Sequence, residues 1–229
     1  MRGQRRGLET RTGLDILLVA GVGALLLGRA GYVGIQHDYY IEHQHAVEAL
    51  RVWRGGLLWD TALVGAVAGS ALVCAFRDVG LLRVLDLLAP AGALLAVSAW
   101  LACLAVGCAW GIETSPGQGL LWSLSMDLPD LYGIRQPRVA VQLLGTAWSA
   151  SVLGLLLLVH GRVRKHGVLF CIWLLLHGLG TLVLGFLRGD PVPMVAGWRV
   201  DQLADGALAA ASAILLAVRM TPWGSQRRP

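Results

Sequence analysis

Apolar positions along this chain run together rather than alternating with polar ones. Six runs stand out, at residues 14–33, 57–76, 84–110, 139–160, 168–187 and 203–218. Crossing a hydrocarbon core takes about 20 mostly apolar residues in a helix, so the pattern predicts an all-α, polytopic membrane protein of six spans. The runs leave no room for a soluble domain, and the whole chain, 1–229, reads as a single membrane domain. Connections alternate in length. Those at 34–56, 111–138 and 188–202 are long, whereas 77–83 and 161–167 are short turns. Long loops in a compact chain tend to carry function, so a site is expected on the side that holds them.

Composition agrees with this reading. The chain is 56% hydrophobic and 14% charged, against roughly a quarter charged in soluble domains. Its net charge of +5 needs no nucleic-acid partner, because the basic residues sort by side of the membrane. Arg2, Arg5, Arg6, Arg11, Arg77, Arg83, Arg162, Arg164, Lys165, Arg219, Arg227 and Arg228 fall on one side. Arg51, Arg54, Arg135, Arg138, Arg188 and Arg199, half as many, fall on the other. The positive-inside rule then puts both termini in the cytoplasm and the long loops outside. The basic start followed by an apolar run resembles a signal peptide, but Arg29 interrupts the run and no A-x-A site follows, so it reads as a retained first span. Cys74, Cys103, Cys108 and Cys171 all lie in apolar runs without a CxxC pair, which predicts packing residues and neither a zinc site nor a disulfide framework.

Three constellations carry candidate chemistry. The stretch "QHDYYIEHQH" sets His37, His43 and His45 beside Asp38 and Glu42. Imidazoles at such spacing can bind a transition metal, but Tyr39 and Tyr40 also suit an interfacial segment at headgroup depth, and no metal is expected. Gly65 with Gly69, and Thr181 with Gly185, are small-xxx-small pairs for close helix contact, expected inside the bundle. Charges buried in lipid are costly and normally turned inward. Asp86 and Asp205 lie near span ends, where helix N-terminal stabilisation or snorkelling accounts for them. Arg29, Asp60 and Glu113 lie toward the long-loop side.

Taken in order, the segments resemble the bacterial prolipoprotein diacylglyceryl transferase family. "GRAGYV" and "YYIEH" are similar to its Arg-containing helix and following loop, "LRVWRGGLLW" to its W-x-G-G-L stretch, and "DLLAPAGALL" to its D-x-x-A-P helix start. "GCAWGIET", "RQP", "HGL" with "FLRGD", and Gln202 in "DQL" follow in the family's order. The resemblance covers nearly the whole chain. It implies seven spans with an external N-terminus in the family; this chain starts at the second of them, which predicts six with the N-terminus inside.

The resemblance further implies transfer of a diacylglyceryl group from phosphatidylglycerol to a lipobox cysteine at the outer face of the bacterial cytoplasmic membrane, without a cofactor. Such a reaction needs an activated thiol and fixed cations for the departing glycerol phosphate. Arg29, Glu113, Arg135 and Arg188 match the family pattern; several other positions depart from it. Asp60-Thr61-Ala62 replaces H-G-G or Y-G-G, Ala105 stands at the Arg of G-R-x-G-N/C, and in R-H-P-S-Q-L-Y-E only Arg135 and Pro137 persist. In Y-G-L-x-R-F-x-x-E, His177 replaces the Tyr, Thr181 the Arg and Gly185 the Glu. The expected site is an outward-opening lipid cavity lined by Arg29, Asp60, Glu113, Arg135 and His177, with Asp60 and Glu113 catalytic and Arg29, Arg135, Arg188 and His177 on the lipid phosphate. Its partners are a phosphatidylglycerol-like phospholipid and a lipoprotein precursor. Two other accounts stay open: a non-catalytic lipid- or lipoprotein-binding relative, with Asp60 paired to Arg29 or Arg54, and a transporter or metal-handling protein using the histidine-rich loop.

Overall fold

A computed structural model describes residues 9–42, 46–130 and 132–221. His43, His45, Arg2, Arg5, Arg6, Arg227, Arg228 and the side chain of Arg54 lie outside that description. Among the described residues, six helices are long and apolar enough to cross a membrane: α1 (Thr10–Ile35), α3 (Trp59–Arg77), α4 (Leu81–Val106), α6 (Val141–Val159), α7 (Val168–Gly185) and α8 (Val200–Met220). The connections hold short helices α2 (His37–Glu42) and α5 (Leu120–Ser123), and 3-10 turns at Ala46–Leu50 and Val52–Arg54. They also hold two antiparallel hairpins, β1 (Ser125–Pro129) with β2 (Arg135–Val139) and β3 (Met194–Val195) with β4 (Trp198–Arg199). Helices satisfy every backbone polar group within one segment, which hydrocarbon demands. Their exposed large apolar side chains, Leu14, Leu18, Leu26, Leu95, Leu158 and Ile214 among them, suit a lipid surround. The protein is a multi-pass membrane protein.

Two compact units divide the chain, one up to Leu85 and one from Asp86. In the first, α1 and α3 touch backbone to backbone. A Cβ on Gly65 would lie 2.1 Å from the Gly23 carbonyl oxygen, and one on Gly69 2.5 Å from that of Val19. Gly65 and Gly69 therefore work as a close-contact seam inside the chain. Gly65→Ala is expected to cost about 1–3 kcal/mol through overpacking, read as a lowered thermal midpoint in detergent. Gly21→Ala, where a Cβ meets nothing within 4 Å, is the control, and equal behaviour of the two would refute the seam.

In the second unit the helices pack indole against glycine. Cβ atoms on Gly92, Gly145 and Gly180 would lie within 2.3, 2.3 and 1.9 Å of the rings of Trp173, Trp100 and Trp148. Gly178 and Gly185 of α7 face Asp205 and Gln202 of α8 in the same way. Asp86 does stabilise a helix N-terminus, that of α7. Its carboxylate accepts from the N–H groups of Gly167 (2.6 Å) and Phe170 (2.9 Å), which a helix start leaves without intrahelical acceptors.

The expected third span, 84–110, ends early. Gly107 takes φ +79°, and the N–H groups of Gly107 and Cys108 both donate to the Cys103 carbonyl (2.9 and 3.0 Å), closing α4 at Val106. This turn corrects the reading of the cysteines. Cys103 and Cys108 form a disulfide with Cα atoms 4.6 Å apart; only Cys74 and Cys171 are free and buried as packing residues. Five residues of continuous helix would separate the two by about 7.5 Å along the axis, beyond the usual reach of a disulfide. Ending the helix brings them together.

Past the turn, residues 110–114 run as a strand between two neighbours. On one side Ile112 N–H donates to Leu187 O (2.9 Å) and Gly189 N–H to Trp110 O (2.8 Å). On the other, Val139 N–H donates to Ile112 O (3.1 Å) and Thr114 N–H to Pro137 O (2.8 Å). The connections 111–138 and 188–202 thus form a hairpin layer, seated on Val139, Val141 and Leu184 with Trp100, Ile112 and Leu187 packed around them.

Candidate functional site

The layer presents Glu113. Glu113 and Arg138 are bridge partners on adjacent strands, so their side chains share a face. Arg138 Nη2 donates to Glu113 Oε1 (2.9 Å) and to Asp130 Oδ2 (3.3 Å), and Nη1 donates to the carbonyls of Leu128 (3.2 Å) and Ile134 (2.8 Å). The Arg138 side chain is 4% exposed, that of Asp130 9%, and that of Glu113 64%. A buried cation, balanced by a buried acid, therefore holds an accessible carboxylate from behind. Asp130 also shapes the β1–β2 turn, accepting from Tyr132 N–H (2.8 Å) and Ile134 N–H (2.9 Å) on its other oxygen.

Arg135 occupies the opposite face of β2. It donates from Nε to Asp127 Oδ2 (2.9 Å) and from Nη2 to Asp127 O (2.7 Å), with both side chains more than half exposed. Exposed pairs of this kind hold weakly, and Arg135 Nη1 has no partner among the described residues. Arg135 is the most accessible of the proposed phosphate-side residues in this unit.

Arg188 sits in a charge box. Its Nε and Nη2 grip Asp190 (2.8 and 2.6 Å), and its Nη1 lies 3.0 Å from Asp201. Arg199 repeats the arrangement on Asp201 (3.1 Å twice) and reaches Asp190 Oδ1 at 3.3 Å. Two cations and two anions are joined directly. Burial works to lower the pKa of Arg188, but its hydrogen bond to Asp190 and the charges of Asp190, Asp201 and Asp205 outweigh this and hold it above the usual arginine value. The box fastens the exit of α7 to the entry of α8. His177, 5% exposed, lies in the interior of the helix bundle against Ala93, Ala96, Trp148, Ser149, Val152 and Trp173.

The first unit holds the other two candidates. Buried Arg29 donates to four loop carbonyls, those of Ala49 (2.7 Å), Glu48 (2.8 Å), Gly55 (2.6 Å) and Gly56 (3.0 Å). Its guanidinium also lies over the rings of Tyr32 and Tyr40, at 5.7 and 5.6 Å. It pins the 46–56 loop onto α1, and its nitrogens go to those carbonyls rather than to Asp60. Asp60 stands half-buried in the first turn of α3, where the helix dipole favours a carboxylate. Of the histidine-rich stretch, His37 Nε2 meets Asp38 Oδ1 at 2.9 Å with both exposed; His43 and His45 fall outside the described residues.

Asp130, Arg138, Asp190, Arg199 and Asp201 were not singled out by sequence. The last three had a readable signal with Arg188: R-x-D occurs twice, at Arg188/Asp190 and Arg199/Asp201, a spacing that puts both charges on one side of extended chain at the first pair, while at the second Asp201 lies in the first turn of α8.

A family model described as prolipoprotein diacylglyceryl transferase matches residues 1–219. Among curated relatives, a phosphatidylglycerol–prolipoprotein diacylglyceryl transferase of Bacillus licheniformis is 28% identical over 228 residues, covering 95% of this chain and 80% of the relative. One of Geobacillus kaustophilus is 28% identical, covering 97% and 83%. One of Nocardia farcinica is also 28% identical, covering 87% of this chain and 43% of its own length.

Proposed function

Because the chain belongs to the prolipoprotein diacylglyceryl transferase family, we propose that it acts in the bacterial cytoplasmic membrane as a diacylglyceryl transferase with an altered centre. Its substrates are a phosphatidylglycerol-like phospholipid and the lipobox cysteine of a lipoprotein precursor, met at the outer leaflet. The cysteine sulfur attacks a glycerol carbon of the lipid, the bond from that carbon to the phosphate oxygen breaks, and glycerol phosphate leaves. The thiol proton passes to a carboxylate, Glu113 or Asp60. Arg135 meets the phosphate directly, with Arg188 and His177 supporting the lipid side within the second unit, while Arg29 orders the 46–56 loop of the first. The observation that carries this reading is Glu113, an accessible carboxylate fixed by Arg138 at the family's acidic position. An outward orientation of the hairpin layer is supported by the Cys103–Cys108 bridge beside it, since disulfides persist in oxidising compartments.

Complementation of a transferase-depleted bacterium tests it. The native chain is expected to restore growth, whereas Glu113→Gln and Asp60→Asn lower the transfer rate by about a hundredfold or more, the usual contribution of a proton-handling group. Failure of the native chain to rescue, or full rescue by both variants, would overturn the reading. The binding-only alternative is favoured by one observation: the nitrogens of Arg188 are already held by Asp190 and Asp201, leaving them no phosphate to stabilise. It predicts saturable lipid binding without transfer.

A further inference from the structure

The Cys103–Cys108 bridge closes a turn that already has its own stop. Gly107 in the left-handed region and the paired N–H bonds to Cys103 O end α4 without it. A bridge with a sequence separation of only 5 also restricts the unfolded chain less than a long-range one. What it adds lies immediately downstream. The Cys108 carbonyl accepts from Gln142 Nε2 (3.0 Å), a side chain 1% exposed at the start of α6. Ala109 then takes φ +51°, a conformation that L residues rarely adopt, and the chain enters the 110–114 strand.

That strand tolerates a single register. A Cβ on Gly111 would lie 2.1 Å from the Val139 carbonyl oxygen, so a slip by one residue would press Trp110 or Ile112 into the backbone of β2. Such a slip would also turn Glu113 to the opposite face, away from Arg138. The setting of Glu113 therefore depends on where the strand begins, directly after the bridged turn.

We infer that the Cys103–Cys108 disulfide is a positioning clamp for Glu113, fixing the register at which the strand enters beside β2. The two cysteines are positioning residues, and the inference rests on the role proposed for Glu113 above. Opening the bridge frees the turn to rearrange, and Glu113 loses its fixed place opposite Arg138.

The test uses the full chain in detergent, native, reduced with dithiothreitol, or carrying Cys103→Ser with Cys108→Ser. Dithiothreitol opens the bond by exchange, closing to its own cyclic disulfide and leaving two thiols on the protein. Amide hydrogen exchange at Ile112, Thr114 and Val139 is expected to quicken at least tenfold in both opened forms, with α7 amides unchanged. Transfer kcat falls about tenfold with KM for lipid unchanged, and reoxidation restores the reduced native chain but not the serine variant. Unchanged exchange at the three amides overturns the clamp. Equal acceleration throughout α7 also overturns it, because the bridge would then be a general stabiliser. If exchange responds as expected while even the oxidised chain transfers no lipid, the clamp stands and the catalytic reading falls.

Discussion

Replacing Arg138 with alanine is expected to destabilise the hairpin layer by about 3–5 kcal/mol, the range for removing one partner of a buried ion pair. Asp130 would keep a buried charge with no cation behind it, and the carbonyls of Leu128 and Ile134 would each lose a donor, although Ile134 O keeps the Asp130 N–H. The share owed to Glu113 is small, because that carboxylate is largely in solvent. In a chain of this size each kcal/mol moves the thermal midpoint by roughly 2–4 °C, so a drop of about 10 °C in detergent is the readout. Arg135→Ala, three residues earlier, removes an exposed pair and should change stability by less than about 1 kcal/mol. A similar fall for both variants would mean that burial does not distinguish the two arginines. Adding Asp130→Asn to Arg138→Ala should recover part of the loss by removing the stranded charge.

Asp190→Ala is the second large effect. It leaves Arg188 and Arg199, whose side chains are 22% and 10% exposed, with Asp201 as their one directly paired carboxylate, Asp205 acting on Arg188 through its charge. Two mostly buried cations then share one directly paired anion, and about 3–5 kcal/mol is again the expected loss. The junction of α7 with α8 should open first, since the Asp190 carboxylate joins the two arginines; the bond from Arg199 to the Asp190 main-chain carbonyl survives the substitution. Adding Arg199→Met restores one cation to one anion and should return part of the stability, giving a coupling well above the few tenths of a kcal/mol seen between independent sites. Strictly additive losses would show that the four charges do not act as a unit.

The two arginines of "RQPR" show how far sequence reached. Resemblance pointed to Arg135, which matches the family's motif; the structure buries Arg138 instead. Residues an odd number apart in a strand face opposite sides, so once this segment is extended only one of them can point at Glu113. Nothing in the local sequence declares it extended, because the 111–138 connection reads as a loop. The cysteines failed for the mirror-image reason. Cys103 and Cys108 were read on one continuous helix, which would hold them apart, and the helix stops between them. Of the two accounts the sequence leaves open for Asp86, snorkelling and helix N-terminal stabilisation, the structure has the second, and the helix served is α7, 81 and 84 residues away by its two hydrogen bonds.

Six spans, the order of the family's motifs and the seam at Gly65 and Gly69 could be taken from the sequence alone. Each depends on a run of neighbouring residues, and partition into lipid or close helix approach is a sum over such a run. Which arginine is buried, which acid balances it, where α4 ends and which sulfurs meet depended on the tertiary structure. Those outcomes come from pairing across distance: Arg138 reaches Glu113 over 25 residues of chain, and strand register and burial decide that contact together.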